Sequence, residues 1–139
     1  MSKLFTMTFI IENQKIGLKR TSQDDIVEII QMENEDENLR FIISYDKVRH
    51  LDSIISKDEE HFAIWDKEDN QIIGFLILAG LQNLNLSLEF RRIVVKVKGR
   101  GIGRQCLKLI KAYCFQQLKF HRLWLDVFEG NHKIGRAHV

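Results

Sequence analysis

The sequence predicts an α/β or α+β domain built around a mixed sheet. Strand and helical periods follow one another along the chain in the order strand, two helices, three strands, helix, strand. The length of 139 residues is typical of one domain. The chain contains no proline, no internal repeat and no low-complexity tract, so nothing in the sequence marks a linker between domains.

The first part of the chain is predicted to form strands followed by a helix. Residues 1–12 are strand-like in composition, and residues 14–20 alternate apolar with basic side chains. Thr21–Asp25 offers hydroxyls and carboxylates suited to a helix start, and residues 26–32 carry an apolar face at helical spacing. An acidic run then breaks the period and predicts a solvated loop: Glu33, Glu35, Asp36 and Glu37.

The middle of the chain changes from helical to strand periodicity. A second helix is predicted over Ser44–Ile55, where apolar residues recur at helical spacing. Two apolar runs, His61–Trp65 and Gln71–Ala79, flank a polar turn that ends in Asp69–Asn70, which predicts a hairpin. A further strand is predicted over Ser87–Val95.

The last part of the chain is predicted to pass through a basic loop into the strongest helix. Lys96–Gly101 is the loop, and Gly103–Leu118 has one apolar and one polar side. Cys106 and Cys114 lie about two turns apart on the apolar side, as small buried residues do. Arg122–Phe128 is apolar nearly throughout, which is typical of a strand covered on both faces.

Composition excludes several classes of function. The formal net charge is only +2, which argues against a nucleic-acid or membrane partner. Two cysteines are too few for a disulfide framework, and His50, His61 and His121 lack metal-ligand spacing, so no metal is expected. No apolar run approaches the length of a membrane span. These features predict a reduced, cytoplasmic domain.

Chemistry is concentrated where the strand ending at Val95 passes through a glycine-rich loop into a helix. Such a turn exposes unpaired backbone amides at the positive end of the helix, and glycines let phosphate oxygens approach closely. The loop is neither a dinucleotide fingerprint, since Arg104 stands where the third glycine belongs, nor an NTPase loop, since no Gly-Lys-Ser/Thr follows. From the residues alone, phosphate binding and a purely structural turn both stay open.

Three segments together resemble the acetyl-CoA signature of GNAT N-acetyltransferases. They are Glu89–Val95, the pattern Lys98-x-x-Gly101-x-Gly103, and Leu123–Asn131. The resemblance extends over residues 16–132 and implies a GNAT-like mixed, mainly antiparallel sheet flanked by helices, with the final helix and last two strands missing or incomplete. Lys98 departs from the family's usual Gln or Arg but keeps a cation.

The resemblance also implies how acetyl-CoA, the expected co-substrate, is held. Strand backbone groups of Ile93, Val94 and Val95 would lie along the pantetheine arm. Asn131 would hydrogen-bond the cofactor from the other side. The pyrophosphate would be held by the loop and helix start, that is by Lys98, Gly99, Arg100, Gly101, Ile102, Gly103 and Arg104.

The implied reaction is acetyl transfer to a primary amine of a small molecule or peptide, by direct attack in a ternary complex. An ammonium ion must lose a proton before it attacks, so a carboxylate base is expected. Asp126 and Glu89 are the two candidates. The alternative interpretations are that Asp126 is the partner of nearby basic groups and Glu89 a strand-surface carboxylate.

Two rival functions remain at this point. The chain is alternatively a non-catalytic module that binds acyl-CoA or another phosphorylated ligand. A nucleic-acid binder using the basic residues between Arg91 and Arg104 is the other, and the small net charge argues against it. The sequence does not determine which amine is the acceptor or whether the chain forms a homodimer.

The C-terminal residues are expected to be foreign to the domain. We expect a single N-acetyltransferase domain over residues 1–133, incomplete at its C-terminus. Residues 134–139 are what the codons ATC GGA AGA GCA CAC GTC encode, a string that matches a common sequencing adapter, and resequencing the source locus tests this. The tyrosine that commonly protonates the departing CoA thiolate in this family would fall at position 138, where the chain has His138, so this chain is expected to be inactive or weakly active.

Overall fold

The computed structural model describes residues 8–35, 45–97, 99–127 and 130–136, with side chains as far as residue 125. The chain forms the following elements: β1 (Ile11–Glu12), β2 (Ile16–Arg20), a 3₁₀ turn (Gln23–Asp25), α1 (Ile26–Glu35), α2 (Lys47–Ile55), β3 (Glu59–Asp66), β4 (Gln71–Ala79), β5 (Ser87–Val95), α3 (Ile102–Ala112) with a π-helical end (Tyr113–Gln117), β6 (Arg122–Val127) and β7 (Gly130–Arg136).

The strands form one seven-stranded sheet in chain order, from β1 to β7. All neighbours pair antiparallel except β5 and β6, which pair in parallel. A parallel neighbour requires a crossover connection, and α3 provides it. The mixed α/β fold predicted from the sequence is confirmed, with the helices on both faces of the sheet.

Alternate residues of the central strand β4 face two separate cores. Ile73, Leu76 and Leu78 belong to the larger core, which α3 covers with Cys106 and Ile110. The smaller core, under α1, contains the β4 side chains that point the other way, together with residues of α1, β3 and β5: Ile29, Met32, Ala63, Ile72, Phe75, Ile77 and Val94. Because both faces are covered, β4 reads as a continuous apolar run rather than as an alternating one.

Several local predictions are confirmed within a few residues. The hairpin forms between β3 and β4, and α2 begins after Asp46, whose side chain accepts a hydrogen bond of 2.8 Å from the Arg49 amide. Cys106 and Cys114 are free and buried. Residues 1–7, 36–44, 98, 128–129 and 137–139 lie outside the described residues, and so do the predictions for Asp36, Glu37 and Lys98.

One prediction is corrected, and one element was not predicted. Glu33 is no part of a solvated loop, because α1 continues to Glu35 and the Glu33 side chain is fully buried. Residues 130–136, where the resemblance left the final helix missing or incomplete, form β7 against β6. An unpaired β6 edge would leave backbone groups without partners, and β7 supplies them.

Candidate cofactor and acceptor site

The loop between β5 and α3 has the geometry of an anion cradle. Gly99 and Gly101 adopt φ angles of 80° and 75°, in the left-handed region that favours glycine. The first hydrogen bond of α3 runs from the Gln105 amide to the Gly101 carbonyl at 3.1 Å. The amides of residues 102–104 therefore have no partner within the helix, as expected of a helix start.

Open space lies over these amides. A Cβ atom built on Gly99, Gly101 or Gly103 meets no other atom within 4 Å. Arg100 and Arg104 are exposed beside the opening, and the Arg100 guanidinium lies 3.9 Å from an Asp66 oxygen. The helix end and these cations together give a site that favours negative charge.

β5 and β6 separate into a fork close to this loop. Their parallel pairing covers only Ser87–Glu89 against Arg122–Trp124, and the described residues beyond that point do not pair across the gap. On its other side β5 stays paired with β4 as far as Val95. The edge of β5 that contains Ile93, Val94 and Val95 therefore faces the opening of the fork.

A β-bulge re-aims β5 where the fork begins. Phe90 pairs with Leu78 and Arg92 pairs with Ile77, so Arg91 is the extra residue. Two consecutive arginines consequently point to the α1/α2 face of the sheet. There Arg91 donates to Glu59 and Glu89, at 3.0 and 2.9 Å, while Arg92 donates to Glu33 and lies 3.8 Å from the Tyr45 ring centroid.

The two predicted bases lie on the two arms of the fork. Glu89 is opposite Trp124 at the last parallel pair, and its Oε1 accepts hydrogen bonds of 3.2 and 2.9 Å from Arg91. The Asp126 backbone lies on β6, past that pair, and is in register with Asn131 of β7. The side chains of Asp126 and Asn131 lie outside the described part of the chain, so their predicted roles stay predictions.

A buried polar chain crosses the α1/α2 face and was missed by the sequence analysis. Thr21 Oγ1 lies 2.7 Å from His61 Nδ1, His61 Nε2 lies 2.9 Å from His50 Nδ1, and His50 Nε2 lies 3.0 Å from Glu33 Oε1. All four side chains are at most 4% exposed. We call this set the Thr21–Glu33 chain.

One signal in the sequence points to Glu33. Its position continues the helical spacing of Ile26 and Ile29, both of which are buried in α1. His50 and His61 gave no such signal in the sequence. In the structure their ring centroids lie 5.1 Å apart. Among the described residues, no group of three or more His, Cys, Asp or Glu side chains has the arrangement of a metal site.

The cysteines are poorly suited to act as nucleophiles. Burial raises the pKa of the Cys106 thiol to about 12 and that of the Cys114 thiol to about 11. The reactive thiolate is therefore scarce at neutral pH.

None of the described helices combines the length and apolar composition that a membrane span needs.

Comparisons with known proteins agree with this geometry. A profile of the acetyltransferase (GNAT) family matches residues 24–138. A crystal structure of spermidine N-acetyltransferase from Vibrio cholerae in complex with CoA and spermine superimposes with a TM-score of 0.70 at 22% sequence identity, covering 83% of this chain and 72% of that chain.

Two further structures of the Vibrio cholerae enzyme are similar. A dodecameric structure in an intermediate state gives a TM-score of 0.64 at 23% identity, over 81% of this chain and 70% of that chain. A complex with manganese ions gives 0.63 at 20% identity, over 80% and 67%. No curated protein matches the sequence significantly. At these identities the likeness shows the fold.

Proposed function

Because the chain belongs to the GNAT acetyltransferase family, we propose that it transfers an acetyl group from acetyl-CoA to a primary amine by direct attack in a ternary complex. The observation that carries the proposal is the anion cradle beside the fork. It combines three helix-start amides, open space above three glycines and flanking arginines. That combination suits a pyrophosphate at one end of an extended arm.

The cradle and the fork suit different parts of acetyl-CoA. We propose that Gly99–Arg104 bind the pyrophosphate and that Lys98 adds a cation. The pantetheine arm would lie along the free edge of β5 at Ile93–Val95, as an added strand does. Asn131 would contact it from β6's side of the fork. The fork opens next to the cradle, so a single extended molecule reaches both.

The chemistry requires a base and an oxyanion donor. The ammonium ion of the acceptor gives a proton to a carboxylate, Glu89 or Asp126, and keeps the electron pair that attacks the thioester carbon. A C–N bond would form and the C–S bond would break, and the second proton on the attacking nitrogen would pass to the sulfur, so that CoA leaves as its thiol. A strand amide near Val94 or Val95 would stabilise the negative charge that develops on the carbonyl oxygen.

On the α1/α2 face of the sheet, beside the fork, carboxylates are paired with arginines. Three carboxylates on that face, of Glu33, Glu59 and Glu89, are each bonded to an arginine. We therefore propose a small-molecule or peptide primary amine as acceptor. The related Vibrio cholerae structure contains spermine, and this makes polyamines one arm of the test.

Thiol release measures the proposed activity. The protein is incubated with acetyl-CoA and, separately, with spermidine, an amino-acid amide and a lysine peptide, and free CoA thiol is followed by a chromogenic disulfide. Amine-dependent release supports the proposal. Calorimetric binding of CoA without release for any amine would support the alternative, a non-catalytic acyl-CoA or phosphorylated-ligand module. Absence of CoA binding would contradict both.

Location and assembly follow as smaller proposals. We propose a cytoplasmic, reducing environment, supported by the two free, buried cysteines. We also propose a homodimer, since a related enzyme forms a dodecamer. Light scattering at micromolar concentration tests the assembly, and a monomer would contradict it.

A further inference from the structure

The Thr21–Glu33 chain ends on a carboxylate. Glu33 accepts hydrogen bonds from the Tyr45 amide, at 3.1 Å, and from Arg92, so its carboxylate is an acceptor. His50 must then donate to it from Nε2. The carboxylate is therefore the acceptor end of the chain, and the Thr21 hydroxyl, bonded to His61 Nδ1, is its other end.

His61 lies in this chain as a neutral ring. Burial, and secondly the neighbouring His50, lowers the pKa of His61 to about 3. Its ring stacks on Phe75, at 5.3 Å between centroids and 14° between planes. The His50 ring meets Phe75 edge-on at 5.3 Å. Both rings are therefore held by packing as well as by hydrogen bonds, and neither has an unused nitrogen.

The chain connects opposite parts of the sheet. The Thr21 amide donates to the His61 carbonyl at 2.9 Å, His61 pairs with Ile77 across β3 and β4, and Ile77 pairs with Arg92. These residues form one row running from the end of β2 to β5. The side-chain hydrogen bonds of the Thr21–Glu33 chain follow the same row. They end at the Glu33 carboxylate, to which Arg92 donates.

The far end of the row is the bulge. Arg92 is the first residue after the extra residue of the bulge, and Ile93–Val95 follow directly. Glu33 is fully buried and the Arg92 side chain is 9% exposed. A bulge sets the direction of the backbone that follows it. Whatever fixes Arg92 therefore fixes the direction of the Ile93–Val95 amides at the fork.

We propose that Thr21, His61 and His50 are positioning residues that, through Glu33, hold Arg92 and thereby aim the Ile93–Val95 backbone for acetyl transfer. The expected change in kcat rests on the proposed function. The expected change in the order of the Ile93–Val95 backbone rests on the structure alone. A network in which each member is satisfied is rigid, and removing its terminal hydroxyl leaves a buried ring nitrogen of His61 without a partner.

Thr21 offers a matched pair of variants. Thr21→Val keeps the shape of the side chain but removes the hydroxyl that is hydrogen-bonded to His61 Nδ1, whereas Thr21→Ser keeps the hydroxyl. In the full chain we expect Thr21→Val to lower kcat by about tenfold or more, because misplacing reacting groups by about 1 Å costs up to about 100-fold. The CoA dissociation constant should stay within about twofold, and Thr21→Ser should restore the rate. A Thr21→Val protein with the parent's kcat at equal stability would overturn the proposal.

A readout independent of activity separates this inference from the proposed function. Amide hydrogen exchange at Ile93–Val95 should accelerate in Thr21→Val and stay at the parent's rate in Thr21→Ser, although Thr21 lies at the far end of the row. Unchanged exchange in Thr21→Val would overturn the positioning role. A parent that binds CoA but acetylates no amine would instead count against the proposed function alone.

A measurement on the parent protein covers the case in which Thr21→Val does not fold. Nitrogen-15 NMR of the histidine rings distinguishes protonated from bare ring nitrogens. At neutral pH we expect His50 to carry hydrogen on Nε2, the nitrogen that faces Glu33, and His61 to carry hydrogen on only one ring nitrogen. A bare Nε2 on His50, or a His61 ring protonated on both nitrogens, would overturn the chain.

Discussion

Gly74 and Val94 approach so closely that a Cβ atom on Gly74 would lie 2.4 Å from the Val94 carbonyl oxygen. No real Cβ atom occupies such a position, so β4 and β5 can pair here only because residue 74 has no side chain. The same carbonyl belongs to the strand segment proposed to face pantetheine. Packing inside the sheet and geometry at the fork therefore depend on one glycine.

Gly74→Ala should destabilise the fold and disturb the fork. The added methyl group must push Val94 away, and overpacking of this kind costs about 1–3 kcal/mol. Urea denaturation measures the loss, and CoA titration measures the effect on binding. An alanine variant with the parent's midpoint would contradict the close approach between the two strands.

Gly103→Ala should separate stability from binding at the cradle. The new methyl group meets open space within the protein, and alanine in a helix is more favourable than glycine by up to about 1 kcal/mol. We expect equal or higher stability with weaker CoA binding, because the methyl group enters the space proposed for the pyrophosphate. Calorimetry and thermal unfolding give both values.

Gly101→Val should lower both the stability of the protein and its affinity for CoA. Its φ of 75° is unfavourable for a β-branched residue, so strain adds to the blocked approach. If Gly101→Val and Gly103→Ala both bind CoA as tightly as the parent, the phosphate assignment of this loop is wrong.

Glu89→Gln or Asp126→Asn should lower turnover without weakening CoA binding. A general base acts only in the proton-transfer step, and its loss costs about 10²–10⁴-fold. Initial rates across pH with a fixed amine check this, and Glu28→Gln, on the exposed side of α1, is the control. Rates within tenfold of the parent for both variants would mean that water or another residue removes the proton.

Acid should destabilise the protein through His61. The unfolded chain binds a proton with the ordinary histidine pKa of 6.5, whereas burial lowers the folded value to about 3. Since the unfolded state binds more protons in this range, stability is constant with respect to this group above pH 6.5 and falls below it, by about tenfold in the unfolding constant per pH unit.

Urea midpoints between pH 6.5 and 4.5 test the His61 contribution, because the Glu59 carboxyl, whose pKa the Arg49 guanidinium lowers from the usual 4.5, adds its own loss only below that range. His61→Gln should show a shallower dependence by one proton. The exposed His121 gives the control variant His121→Gln, which should keep the parent's slope. A parent whose stability does not change across this range would contradict a neutral buried His61.

The cradle could be predicted from the sequence because it is local. Gly99, Gly101 and the helix that follows lie within one short segment, and their backbone angles follow from residue type. The β3–β4 hairpin and the helix α3 were predictable for the same reason, from two apolar runs around a polar turn and from the amphipathic pattern of α3. For such elements, the residues of one short segment are enough to predict the local structure.

The Thr21–Glu33 chain could not be predicted because its members are distant in sequence. His50 and His61 are 11 residues apart, and Thr21 and His61 are 40 apart, so only tertiary packing brings them together. The strand β7 is a second case. Its sequence, from Gly130 to Arg136, lacks the apolar alternation of a strand, and pairing with the β6 edge decides its conformation.

The parallel contact between β5 and β6 also orders the folding reaction. The β3–β4 hairpin joins strands that a short turn connects, whereas β6 reaches β5 only after the crossover through α3. Closing a longer loop costs more conformational entropy and slows the formation of its contacts. We therefore expect the three residue pairs at the base of the fork to form after the β3–β4 hairpin. Occupation of the fork by a ligand that bridges both arms would slow unfolding more than it speeds folding.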